Sequence, residues 1–527
     1  MPDDTQPALQ TCEALSLKTR LIVAGVIVGV ASASLGFFYS RGLINLYGDS
    51  MAHLEGARRI LDSRTPGYPE IGTVWLPVPH LLMALPAQNN FLWRTGLAGG
   101  IVSTLAFILA CWIVFKLSYR MSASMMVGVI ALAGFMLCPN MLYLASTPLT
   151  EPLALLFVLL MVHELFRFRD TTQKGALIAA GLAGFVGSLT RYECWSLLPC
   201  AALFVMWAKA GSWTERLRSA VIFSAIAATG PLLWILHNAY RFENPLAFYE
   251  GPFSAKGIYA HQLATTAFRL PTDGSYLASL RYYLEDLRLV IGVWPLALCL
   301  LGFMAWAADA SRRSQRAVAL LLLVPLPFHI QSMATAAVPL YVPTLFPNTY
   351  WNLRLGAEML PAAALFPAFL LPLNGSRKFR TTVFALLFGC IALQHTWTAH
   401  FGAAELAVAK EGVLNSPCRN KRQHILTEFL RANYDGGSIL LAAGKWPCAL
   451  PELGIPFRKT VSDANTESWN AAAIQPDKMV QWIVRGNDEP VDWLMRAQSE
   501  SFGRFAVVLQ KDVAGEGSLI VYRRVSN

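Results

Sequence analysis

The chain has 527 residues, 55% hydrophobic and only 14% charged, with a mean hydropathy of +0.43. A soluble chain carries about 25% charged residues, so a wholly soluble enzyme is excluded, and the apolar content excludes an intrinsically disordered protein. The net charge of +10 fits cytoplasmic loops and lipid headgroups, with membrane lipids as partners and no nucleic acid.

In chain order, a leader over residues 1–20 ends in Lys18 and Arg20 and precedes the first apolar run, 21–38. That run is long and lacks a small-residue cleavage site, so it reads as a retained anchor rather than a cleaved signal. The loop 40–94 then carries Tyr47-Gly48-Asp49-Ser50, followed by Met51, Leu54, Ala57, Arg58 and Leu61 at helical spacing. Gly48 breaks the span, Asp49 and Ser50 are good helix caps, and the helix is expected to lie along the membrane surface. His53 falls one turn beyond Asp49 on the same face. Arg58, Arg59 and Arg64 are expected to meet lipid headgroups. Residues 73–80, with a tryptophan and two prolines, read as a second interfacial segment. Further apolar runs follow at 95–115, 122–137, 153–166, 175–189, 192–207, 220–236, 289–307, 317–333, 359–373 and 381–399. Together they predict a mainly α-helical polytopic membrane protein, with about 11 transmembrane helices of roughly 20 residues over 21–401. After Phe401 the charge density rises. A helix is predicted at 420–434, with strands near 438–443, 479–484, 505–510 and 519–522, giving a small α/β domain over 402–527.

Lys116 and Arg120 mark one short loop; Arg167, Arg169 and Lys174 the next; then come clusters at 209–218, 312–316 and 377–380. These are alternate loops, on the side of Lys18 and Arg20, so the N-terminus is expected in the cytoplasm and the C-terminus outside. The opposite side receives loops 40–94, 139–152, 237–288 and 339–358, where the residues with chemical potential accumulate. If the C-terminal domain is outside, it lies in an oxidising compartment. Its only cysteines, Cys418 and Cys448 of nine in the chain, are then expected to form a disulfide.

Five motifs carry a family resemblance. They are Gly48-Asp49 with its surface helix; Trp75-Leu76-Pro77-Val78-Pro79-His80; Ser146 to Pro152 with Glu151; Thr190-Arg191-Tyr192-Glu193; and Tyr350-Trp351-Asn352-Leu353-Arg354-Leu355-Gly356 followed by Leu360-Pro361. In order and sidedness they resemble the GT-C superfamily of membrane glycosyltransferases, which includes protein O-mannosyltransferases and lipid A aminoarabinose transferases. Leu355 stands where an aromatic is usual. The resemblance implies transfer of a hexosyl or pentosyl unit from a polyprenyl-phosphate donor to an extracytoplasmic glycan, lipid or protein, in a bacterial inner membrane.

Such a reaction needs a base for the acceptor hydroxyl, and Asp49 is the candidate, with Glu151 as a second catalytic acid. The leaving phosphate needs charge stabilisation, for which a guanidinium is suited; Arg354 is the first candidate and Arg191 the second. Asn352, Tyr350, His53 and Glu193 complete the candidate donor site. Other readings stand beside these. Glu151 can cap the span beginning at Pro152, and Arg191 with Glu193 can be a structural ion pair. No cofactor is required, although His53, Glu55 and Glu151 have the chemistry to ligate a divalent ion. A transporter or lipid flippase would place ionisable groups near the midplane of its spans. An envelope assembly factor would leave Asp49, Glu151 and Arg354 far apart.

Overall fold

The computed structural model describes residues 15–266 and 268–525; most of the 1–20 leader lies outside the described residues. Helix α1 (Leu17–Ser40) is capped by Ser16, whose hydroxyl accepts from the Thr19 amide. It buries one narrow stripe, Val23, Ile27 and Ala31, while Leu21, Ile22 and Val26 stay exposed. Exposed aliphatic faces of this size suit lipid rather than water.

All eleven apolar runs are helical. Six helices among the described residues are long and apolar enough to cross a membrane: Leu17–Ser40, Leu97–Ser122, Trp213–Phe242, Ala317–Ala334, Leu353–Leu370 and Arg377–His400. A seventh span results if Tyr276–Val290 and Val293–Ala308, bent by 113°, are counted together. The runs at 122–137, 175–189 and 192–207 become shorter helices of 12, 15 and 16 residues. At 1.5 Å per residue these fall short of about 30 Å of hydrocarbon.

Helix Glu151–Thr171 covers about 30 Å from end to end. Glu151 stands at one end; at the other, Arg167 pairs with Glu164 at 2.6 Å and Arg120 with Asp170 at 3.9 Å. The segment before Glu151 lies directly on helix Leu97–Ser122. A Cβ at Gly99 would stand 2.5 Å from Pro148 Cβ, and one at Gly100 would stand 2.6 Å from the Ser146 carbonyl oxygen. Two hydroxyls fix the register, Ser103 donating to the Leu149 carbonyl at 3.0 Å and Thr104 to that of Ala145 at 2.9 Å.

Beyond α1 come α2 (Gly48–Arg59) and α3 (Pro77–Ala84). Tyr47, not Asp49 or Ser50, is the N-cap residue of α2, so Asp49 sits inside the first turn. Its carboxylate is drawn to a side chain instead of capping the backbone.

The C-terminal part has helix Lys421–Asn433 and a five-stranded mixed sheet in the order β2-β1-β3-β5-β4. The strands are β1 (Ile439–Leu440), β2 (Thr460–Val461), β3 (Trp482–Gly486), β4 (Phe505–Val513) and β5 (Gly517–Arg524). β1 pairs in parallel with β2 and β3, and β5 runs antiparallel to β3 and β4. This unit shares a core with the first loop: Leu54, Ala57, Met83 and Trp93 pack with Leu426, Ile439, Trp446 and Trp482. A disulfide joins Cys418 to Cys448, and Cys418 Sγ lies 3.7 Å from Met51 Sδ on α2. The arginines assigned to headgroups serve this contact instead. Arg64 donates to the carbonyls of Thr460 and Met479 at 3.1 and 3.2 Å, and Arg58 pairs with Asp62 at 3.0 Å. Asp62 in turn pairs with Arg458 at 2.9 Å. Arg59 faces Glu70 at 3.8 Å.

Candidate functional site

Asp49, from the first turn of α2, accepts a hydrogen bond from Arg354 Nη2. The two residues are 305 positions apart, and the contact joins the first loop to the segment 339–358. Arg354 Nε lies 3.4 Å from Glu151 Oε1, and Arg191 Nη1 donates to that same oxygen at 2.9 Å. Arg191 Nη2 then reaches Glu193 at 2.7 Å and Glu358 at 3.1 Å. Glu358 Oε2 lies 2.9 Å from His329 Nε2. Acids and arginines thus alternate in one chain of contacts. Glu151 and Glu358 are buried, while the Asp49 side chain keeps 42% of its exposure. Asp49 is the member that solvent and substrate reach most readily.

Local structure aims each group. Arg354 lies in a short 3-10 helix, Leu353–Met359, entered through Asn352 at φ 61°. An antiparallel bridge between Tyr341 and Trp351 precedes that turn, and the Asn352 side-chain Nδ2 donates to the Pro339 carbonyl at 2.8 Å. Asn352 Oδ1 accepts from Arg354 Nη2 at 3.3 Å. Arg191 sits in the turn before helix Glu193–Ala208, where the Tyr192 hydroxyl donates to the Val74 carbonyl at 2.6 Å. Glu151 opens its helix and spends its carboxylate on the two arginines.

Glu411, in helix Ala407–Asn415, accepts from the backbone amides of Asn352 and Leu353 at 2.7 and 2.9 Å. Burial pushes its carboxyl up to about 7, against the opposing pull of the Leu353 amide, the Arg354 charge and the Asn352 amide.

His53 makes no direct contact with the ion network among the described residues. Its Nδ1 lies 2.9 Å from His80 Nε2, and its ring packs on Trp75 at 4.4 Å between centroids. Burial holds both imidazoles below their ordinary range, His80 at about 4. Glu55 is buried on another face of α2, its carboxyl pushed up to about 7 by that burial; residues two apart on a helix do not face one another. The ligand atoms of His53, Glu55 and Glu151 are not among those that converge. Among the described residues the group whose ligand atoms converge is Glu193, His329 and Glu358, within 4.8 Å of one another. Arg191 already places its guanidinium between those two carboxylates. Tyr350 stands outside the network, its carbonyl accepting from Asn415 at 2.7 Å and its ring 5.8 Å from the Lys410 ammonium.

His329, Glu358 and Glu411 belong to no motif. The first two had one available signal, since an ionisable residue in or beside an apolar run marks a functional position. Glu411 had none. Beside Glu193 and Glu358 lies a small, mostly apolar cleft, lined by Ala154, Leu155, Val158, Leu197 and Leu322 among others.

No protein-family model and no curated protein matches the sequence. The structure is similar to the crystal structure of ArnT from Cupriavidus metallidurans bound to undecaprenyl phosphate, with a TM-score of 0.58 and 11% identity over 97% of this chain and 99% of that one. It is similar also to the apo state of the same protein, with a TM-score of 0.56 and 12% identity over 96% and 98%. The chain is thus an integral membrane protein whose fold is similar to that of ArnT along almost its whole length.

Proposed function

We propose that this protein is a glycosyltransferase that moves a sugar from a polyprenyl-phosphate carrier to an acceptor hydroxyl outside the cytoplasm, inverting the anomeric centre. The observation that carries the reading is the convergence of Asp49, Arg354, Glu151 and Arg191, from four separate segments, into one contact network. ArnT from Cupriavidus metallidurans was solved with undecaprenyl phosphate bound, and a carrier phosphate of that kind is what Arg354 is suited to grip. The acceptor oxygen attacks the anomeric carbon while Asp49 takes its proton. The sugar–phosphate bond breaks, and the electron pair leaves on a phosphate oxygen that Arg354 stabilises through two parallel N–H groups. Glu151 holds the guanidiniums of Arg354 and Arg191 in register. The site lies at the end of helix Glu151–Thr171 away from the basic loops, which supports a cytoplasmic-membrane location with the active site and C-terminal unit outside.

The test is release of carrier phosphate by the purified protein in detergent, with a panel of undecaprenyl-phosphate sugars and a membrane extract as acceptor source. Asp49→Asn is expected to lower the rate by about 100- to 10,000-fold with an unchanged melting midpoint. An Asn variant of undiminished activity would remove Asp49 as the base.

A further inference from the structure

We infer that Glu411 is a positioning residue for the transfer: from the C-terminal side of the last long helix, it sets the turn that aims Arg354 at the donor phosphate. The inference rests on the proposed glycosyltransferase reading. The first amides of a helix have no partner within it, and here one carboxylate, 59 and 58 residues further along the chain, takes two of them in succession. Glu411 is 3% exposed, so this is an internal cap supplied by a distant segment. The turn it closes runs through Asn352 in the left-handed region, at φ 61°, where a non-glycine residue needs support from its surroundings. Arg354 follows two positions later, tied to Asn352 by side chain as well as by chain.

The helix that delivers Glu411 is itself fixed to the site. The Val408 amide donates to Asn140 Oδ1 at 3.1 Å, and the Asn415 side chain donates to the Tyr350 carbonyl at 2.7 Å. A Cβ at Gly412 would stand 2.8 Å from the Tyr47 ring and 3.1 Å from the Tyr143 hydroxyl. Tyr47 is the residue that leads into α2, and its ring lies 5.8 Å from the Arg354 guanidinium. One short helix therefore touches both segments that form the Asp49–Arg354 contact. Only a carboxylate offers an acceptor oxygen to each amide; a glutamine offers one oxygen for both.

The experiment measures undecaprenyl phosphate binding to the full-length protein in detergent, together with hydrogen exchange at the Asn352 and Leu353 amides. The proteins compared are the wild type, Glu411→Gln, Glu411→Ala, Arg354→Lys and the Glu411→Ala/Arg354→Lys double variant. Glu411→Ala is expected to weaken carrier binding by about 10- to 100-fold and to speed exchange at both amides. Glu411→Gln should lie between it and the wild type; being isosteric, it carries the test if the alanine variant does not fold. Because both residues act through one contact, the double variant should bind no more weakly than the weaker single variant. Multiplying losses would overturn the inference, as would unchanged exchange. Wild-type binding that survives in Glu411→Ala removes Glu411 alone, whereas failure of the wild type to bind the carrier removes the donor reading and the role of Glu411 together.

Discussion

At the scale of single residues, the His53–His80 pair is the part of the site that answers to pH. The imidazoles share a hydrogen bond as long as one of the two facing ring nitrogens stays unprotonated to accept it. Burial depresses both, His80 from 6.5 to about 4. A depressed histidine contributes stability that is present above about pH 6.5 and is lost as pH falls toward 4. Glu55 and Glu411, raised to about 7, run the other way, favouring the folded state at low pH and losing that contribution as pH rises through 7. The histidine contribution is isolated by comparing wild type with His80→Gln. The melting midpoint should favour the wild type at about pH 7.5, and the gap should close by about pH 4.5, with an upper limit of about 3 kcal/mol. A gap independent of pH would mean that the pair does not titrate as a unit. Of the site itself, Asp49 and Arg354 were legible because each sits in a local motif, Gly48-Asp49 and Asn352-Leu353-Arg354. His329, Glu358 and Glu411 were not, because what gives them a role is a partner far away in sequence. The caps were misread for the same reason: Asp49 has the chemistry of a cap, but a guanidinium 305 residues away competes for it.

Among the elements, apolar runs translated into helices without exception, since hydropathy alone selects a helix where backbone groups must be satisfied internally. Their number as full spans did not follow, because length depends on how helices tilt and bend against neighbours, as at the 113° break after Val290. β2 has two residues, too few for any alternation to register, and only its parallel pairing with β1 defines it. The disulfide closes a loop with a sequence separation of 30, and its removal is expected to cost about 3 to 4 kcal/mol in the chain-entropy account. The Cys418→Ser/Cys448→Ser variant should therefore melt earlier. Dithiothreitol should lower the wild-type midpoint and leave that of the variant unmoved; an equal response in both would place the reductant's effect elsewhere.

For the whole molecule, the arrangement of charge along its length gives a sidedness test. Arg120, Arg167 and Arg169 gather with Asp170 and Glu164 at one end of helix Glu151–Thr171, and the Asp49–Arg354 network with the five-stranded sheet lies toward the other. A reporter enzyme that folds only outside the cytoplasm should be active when fused after the C-terminus. The same reporter inserted in the loop after Thr171 should be inactive. The reverse pattern would invert the topology.

The Asp49–Arg354 contact has a consequence for turnover. On the proposed reading the phosphate grip is occupied at rest by a carboxylate of the same chain, a tethered rival at an effective concentration on the order of millimolar. An arriving donor must displace it, which frees Asp49 to act as a base only when a sugar is in place, so that an empty site has little capacity for idle hydrolysis. When the sugar has gone, the same carboxylate competes for the arginine and speeds departure of the spent carrier. The site thus gives up some donor affinity in return for coupling activation to loading and for clearing its own product.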